Sequence, residues 1–121
     1  MKFSLPMIAA LDKADLKKIN ERDFSIAVRE YAEAQGWKVE YRFRSAVKLA
    51  NGTYRGSGPA GFPDLFMCRE ADRRVMALEL KTQVGRPSEA QLDWIHVLSV
   101  CKVEADIVKP EDAADIIRRL T

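Results

Sequence analysis

The stretch Arg74–Lys81 alternates with a period of two. Met76, Leu78 and Leu80 fall on one side, and Val75, Ala77, Glu79 and Lys81 on the other. This pattern calls for a β-strand whose apolar row feeds a core. It also sets an acid and a base side by side at the strand end, which is costly unless they are paired or solvated. A plain ion pair between Glu79 and Lys81 is one reading of that placement.

Asp64 brings in another. It follows Gly61-Phe62-Pro63 and opens a second strand, Asp64–Arg69, separated from the first by the polar turn Glu70–Arg73. So short a turn makes the two strands neighbours. Proline restricts the chain just before the acid, so the side chain can be aimed rigidly. Two carboxylates and one ammonium then converge. Hard oxygen ligands of this kind suit Mg²⁺ or Mn²⁺, whose charge relieves the repulsion between the acids. Such a constellation fits phosphodiester hydrolysis, with Lys81 holding the attacking water or stabilising charge on the phosphate.

The rest of the chain supplies a frame. Asn20 reads as an N-cap, and the helix it starts runs to about Gln35 and stops at Gly36, with Phe24, Ala27, Val28 and Tyr31 as its buried stripe. Lys38–Arg44 alternates as a half-buried strand. The glycine-rich residues 45–63 read as a long loop or a loose hairpin around Asn51-Gly52. Ser88 and Gln91 form a capping box for a helix carrying Leu92, Trp94, Ile95, Val97 and Leu98, apolar on more than one face and so expected to be buried or shared with a partner. Val103–Val108 is a last strand and Glu111–Leu120 a closing helix. Residues 1–19 form a leader with a short helix around Ala9–Ile19. A meander followed by a helical crossover yields a mixed sheet with helices on its faces.

Composition narrows the class. The 121 residues, 47% hydrophobic and 31% charged, suffice for one folded domain. No apolar run approaches the roughly 18 residues of a bilayer span, so no membrane partner is expected. Met1–Leu11 faintly suggests a signal peptide, but Pro6 interrupts its apolar run and Asp12, Lys13 and Asp15 follow without a small-residue cleavage site. An intracellular protein is the expectation. Cys68 and Cys101 lie in apolar stretches and read as small core hydrophobes; with the lone His96 they are too few for a zinc site. The net charge is only +2, yet Arg42, Arg44, Lys48 and Arg55 gather in one segment poor in acids, as a DNA-binding face would require. A solvated surface explains that segment equally well.

Four segments together carry a family resemblance: Gly61-Phe62-Pro63-Asp64-Leu65, Leu78-Glu79-Leu80-Lys81-Thr82, Gly85-Arg86-Pro87-Ser88 and Gln91-Leu92-Asp93-Trp94. In this order and spacing they resemble the VRR-NUC family, a branch of the PD-(D/E)XK nuclease superfamily. The likeness covers roughly Glu21 to Val108. It implies an α/β, restriction-endonuclease-like core with a mixed central sheet flanked by helices, an N-terminal extension at 1–19 and a nuclease domain at 20–121.

It further implies that Asp64 and Glu79 bind Mg²⁺ or Mn²⁺ with help from the Leu80 carbonyl, and that Lys81 completes the catalytic set. The family places one more acid on its first helix. Glu21 lies about 60° from the centre of the buried stripe, against roughly 120° for Glu30 and a near-opposite position for Glu33, so Glu21 is the choice; an acid favoured by the helix dipole is the other explanation. Gln91 matches a family glutamine that supports the metal site or contacts phosphate, and its cap role explains it as well. Arg86 matches a basic position that would hold a phosphate. Trp94 reads as core or interface, and His96 receives no catalytic role. Cys101-Lys102 stands where the family often has glycine, and the stretch between Arg44 and Gly61 is long.

Stand-alone members of this size resemble Holliday-junction resolvases acting as homodimers, since symmetric cutting of a junction needs two sites on a twofold axis. The resemblance therefore points to branched double-stranded DNA, a homodimer, and a bacteriophage or prophage setting in the cytoplasm of a bacterial cell. A nicking or restriction-like nuclease on linear or flapped DNA, and a DNA-binding module that no longer cuts, are the rival readings.

Overall fold

The computed structural model describes residues 2–42, 46–48, 54–56 and 60–121. Its elements run α1 (Leu5–Ala9), α2 (Lys13–Leu16), α3 (Glu21–Ala34), β1 (Lys38–Tyr41), β2 (Ala46–Lys48), β3 (Tyr54–Gly56), β4 (Leu65–Arg69), β5 (Arg74–Leu80), α4 (Glu89–Val100), β6 (Glu104–Val108) and α5 (Ala113–Leu120). Four strands form a mixed sheet in the order β1-β4-β5-β6. The first three pair antiparallel, and β6 joins parallel to β5 after the α4 crossover. β2 and β3 pair antiparallel with each other, Lys48 opposite Tyr54, and the turn expected at Asn51-Gly52 lies outside the described residues.

The alternation in β5 separates the layers as expected. Met76, Leu78 and Leu80 join Leu65, Met67 and Val108 in a core roofed by Leu5, Ile8, Phe24, Val28, Ile116 and Leu120. Asn20 caps α3 by accepting from the Asp23 amide at 2.7 Å, and Gly36 leaves the helix with φ of +90°. The leader is not the single helix expected at Ala9–Ile19. It forms two short helices, capped by Ser4 and Asp12, because each carries its own start signal. Leu5, Ile8, Leu16 and Ile19 sink into the main core.

Trp37 anchors the far end. Its indole Nε1 donates to the Leu120 carbonyl at 3.0 Å, and the guanidinium groups of Arg69 and Arg74 lie 4.7 and 5.2 Å from its ring centroid. Arg69 also donates to the carbonyls of Gln35 and Leu120, tying α3, β4 and α5 together.

Burial, one of the two readings of α4 and the reading of both cysteines, is corrected. α4 covers the sheet on one side only, so Leu92, Val97 and Val100 are 49%, 44% and 68% exposed. Apolar residues surround the whole helix, and one sheet face can take only one of its sides. The two cysteines are exposed rather than core. Cys101 is the C-cap at the open end of α4, and Cys68 shares a strand face with half-buried Phe66 but lies two residues farther along.

Candidate active site

The β4–β5 register pairs Leu65 with Leu78, so the preceding residue, Asp64, stands opposite Glu79 at the strand end. Asp64 is clamped from both sides. Its Oδ2 accepts from the Leu80 amide at 3.0 Å, and its main-chain carbonyl accepts from the Arg42 amide at 2.8 Å. Gly61 makes the approach possible. It has φ of +81°, and a Cβ there would lie 2.5 Å from the Ala90 carbonyl carbon, so only glycine lets this loop pass the first turn of α4.

Glu79 is 1% exposed, beneath α4. Its Oε2 accepts from Gln91 Nε2 at 3.2 Å and lies 3.7 Å from Lys81 Nζ. Its Oε1 is buried and meets no donor among the described residues. Burial above all, then the Asp64 carboxyl within hydrogen-bond reach and the charges of Asp64 and Glu21, push the Glu79 carboxyl up to about 8; the Lys81 ammonium only partly offsets this. Glu79 therefore holds a proton at neutral pH unless positive charge arrives.

Gln91 serves two partners at once. Its Oε1 accepts from the Ser88 amide at 2.8 Å in the capping box, while its Nε2 reaches Glu79. The cap and the site-supporting roles are thus compatible, and the cap holds the amide in the orientation that points its donor at the acid.

Glu21, in the first turn of α3, lines a cavity of about 420 Å³ with Asn20, Arg22, Ser25, Tyr41, Arg42 and Asp64. The competing glutamates are engaged elsewhere: Glu30 pairs with Lys2 at 2.9 Å and Glu33 with Arg29 at 3.3 Å. Asp64, Glu79, Lys81 and Gln91 are brought together, with Glu21 close enough for its charge to act on Glu79. Arg42 joins them at the cavity, its guanidinium 4.9 Å over the Phe62 ring. Arg86 is exposed on the loop before α4 and does not line the cavity. Arg44 lies outside the described residues, as do the side chains of Lys48 and Arg55, whose backbones belong to β2 and β3. Trp94 packs edge-on against Phe62 at 5.0 Å, a structural role, and His96 is exposed.

Arg22 and Ser25 escaped the reading from sequence. Ser25 carried a signal, being a polar residue beside the apolar stripe of α3; it is buried, and its hydroxyl donates to the Glu21 carbonyl at 2.8 Å. Arg22 carried none, because an arginine in a first helical turn looks like any solvated charge.

Comparison with known proteins identifies the family and the fold. A family model described as the VRR-NUC domain matches residues 38–111, more than half of the chain. A solved structure described as a VRR_NUC domain is similar with a TM-score of 0.53 and 21% identity, covering 78% of this chain and 94% of that one. At that identity the likeness speaks for the fold. A search of curated proteins finds no match. With a family match that spans β1 to β6 and a mixed sheet of the same fold, the chain belongs to the VRR-NUC family of PD-(D/E)XK-like nucleases.

Proposed function

We propose that this chain is a Mg²⁺- or Mn²⁺-dependent endodeoxyribonuclease that hydrolyses phosphodiester bonds in branched DNA, working as a homodimer. One observation carries the reading: a carboxylate, Glu79, buried against a second carboxylate, with one oxygen lacking a donor among the described residues. Two acids in this position call for a cation between or beside them. Among the described residues no three His, Cys, Asp or Glu side chains meet as a ligand group. Mg²⁺ needs no such cage, since one or two carboxylates with waters and substrate phosphate suffice. Asp64, Glu79 and the Leu80 carbonyl would hold it.

The bound ion supplies Lewis-acid charge to the scissile phosphate. The chain's own residues do the rest. The Leu80 amide fixes the Asp64 carboxylate, and Gln91 fixes that of Glu79. Lys81, only 9% exposed, keeps its ammonium beside Glu79, where it orients a water or meets charge developing on the phosphate. Glu21 adds a further acid at the cavity wall, and Arg42 offers a cation to the DNA backbone.

Branched DNA and the homodimer rest on the resemblance to stand-alone junction-cutting relatives. The exposed Leu92, Val97 and Val100 of α4, next to the edge strand β6, support a shared surface. The test is cleavage of a four-way junction, a flap and a plain duplex with Mg²⁺, Mn²⁺ or chelator, beside the solution mass by light scattering. Metal-dependent cutting of the branched forms by a dimer is expected. Equal cutting of all three sinks the branched-DNA reading, and no cutting of any sinks the nuclease.

A further inference from the structure

Hydrolysis alone leaves the cavity beside the carboxylates unexplained. Its volume of about 420 Å³ falls within the ~300–1,000 Å³ of cavities that take a small organic ligand. It exceeds many times the ~30 Å³ share of one water, so it is far larger than an ion and a few waters require.

Its walls differ in kind. Glu21 and Asp64 form the side next to Glu79, and Tyr41 adds an aromatic side chain whose ring already carries the Arg29 guanidinium 4.9 Å from its centroid. Arg22 and Arg42 bring two positive charges. Among the described residues, neither arginine forms an ion pair with a carboxylate. The Phe62 ring under Arg42 holds the guanidinium in place without neutralising it. The acids suit a cation, whereas two free guanidinium groups ask for an anion with several oxygens. An anionic group attached to a planar, partly apolar body satisfies both the charges and the aromatic wall.

We infer that this cavity seats one unpaired nucleotide of the DNA, next to the phosphate to be cut, with Arg22 and Arg42 holding its backbone phosphates. The inference rests on the nuclease reading and names what that site recognises. A base inside a duplex is stacked and paired, and has to give up both to enter a cavity between the start of α3 and the end of β1. A base already unpaired enters at least cost. The site then detects a branch or a defect by the loose nucleotide it offers.

The test compares two duplexes identical except for one bulged nucleotide, using the full chain and the variants Arg22→Ala, Arg42→Ala and, as a charge control on α5, Arg118→Ala. Affinity is read by fluorescence anisotropy in Ca²⁺, cleavage in Mg²⁺ or Mn²⁺, and folding by circular dichroism. The parent and Arg118→Ala should prefer the bulged duplex about tenfold, the order of one base stacked on a protein surface. Arg22→Ala and Arg42→Ala, both folded, should lose most of that preference. Equal affinity and equal cutting of the two DNAs overturns the pocket and leaves the nuclease reading standing. So does a preference that survives in both arginine variants. A binding preference that the arginine variants abolish, with neither DNA cut in any metal, supports the pocket and overturns the nuclease.

Discussion

Gln91 and Glu79 join α4 to β5 through a single buried hydrogen bond, Nε2 to Oε2 at 3.2 Å. The other end of the same amide closes the cap of the helix. One residue therefore starts a helix and steadies an acid, and the two roles can be separated experimentally. Gln91→Ala should lose both, at a cost of about 1–3 kcal/mol for a cap and a buried partner removed together. Gln91→Glu keeps the cap acceptor but sets a carboxylate against Glu79. Urea unfolding in chelator should show it less stable than the parent; a variant as stable as the parent would mean that the contact contributes nothing.

Glu79 makes stability depend on pH in a direction opposite to most carboxylates. Its pKa is about 8 in the folded chain against an ordinary 4.5. Between these values the folded state holds more protons than the unfolded one, so stability falls as pH rises. Below the lower value, and again above the higher one, this group contributes no slope. Urea midpoints in chelator from pH 4.5 to 8.5 should decline, and Glu79→Gln should flatten the decline. Divalent cation should reverse the trend, because the ion displaces the proton.

Removing a member of the charged set should separate folding from chemistry. Lys81→Ala and Asp64→Ala are expected to lower the cleavage rate by roughly 10²–10³-fold, the scale of one electrostatic stabiliser. Without metal, Asp64→Ala should bring the Glu79 pKa down, since Asp64 raises it both by hydrogen bond and by charge. Rates within a few-fold of the parent would remove these residues from the catalytic set.

Gly61→Ala should fail at the loop rather than at the acids. The new Cβ meets the Ala90 backbone and sits on a left-handed residue, a conformation costing roughly 1–2 kcal/mol by itself. Lower thermal stability with weaker metal binding is expected, because Asp64 follows three residues later. A variant that binds metal as tightly as the parent would show that the loop does not position Asp64.

Trp37→Phe tests the far end of the molecule. It removes the indole donor to Leu120 and leaves a ring between Arg69 and Arg74. The Leu120 carbonyl keeps its bond from Arg69 at 2.9 Å, so the loss is that of one ordinary hydrogen bond, about 0.5–1.5 kcal/mol. Unfolding should shift by that amount while cleavage by the folded variant stays unchanged.

Much of this was legible before any coordinates. Asn20, Gly36, Ser88 and Gln91 announce helix ends by local chemistry, and local chemistry survives folding. Asp64 and Glu79 meet because four residues between two alternating segments permit nothing else. The choice of Glu21 followed from helical angle and is consistent with Glu30 and Glu33 being paired elsewhere. What escaped depends on quantities that no single segment contains. The exposure of α4 depends on how much sheet there is to cover it, and that of Cys68 on where the covered part of the sheet stops. The burial of Leu5 and Ile8 needs α5 to close over them, a contact between chain ends. Arg22 takes its meaning from the opening between α3 and β1.

The β4–β5 register carries one last consequence. It sets Asp64 opposite Glu79 and, in the same stroke, sends Leu78 and Leu80 into the core. A slip of one residue would turn every side chain of β5 over, exposing the leucines and burying the site's charges in oil. Selection for a well-packed interior therefore also keeps the acids in register with each other. Along this strand, no slip of pairing can misplace the acids while sparing the core.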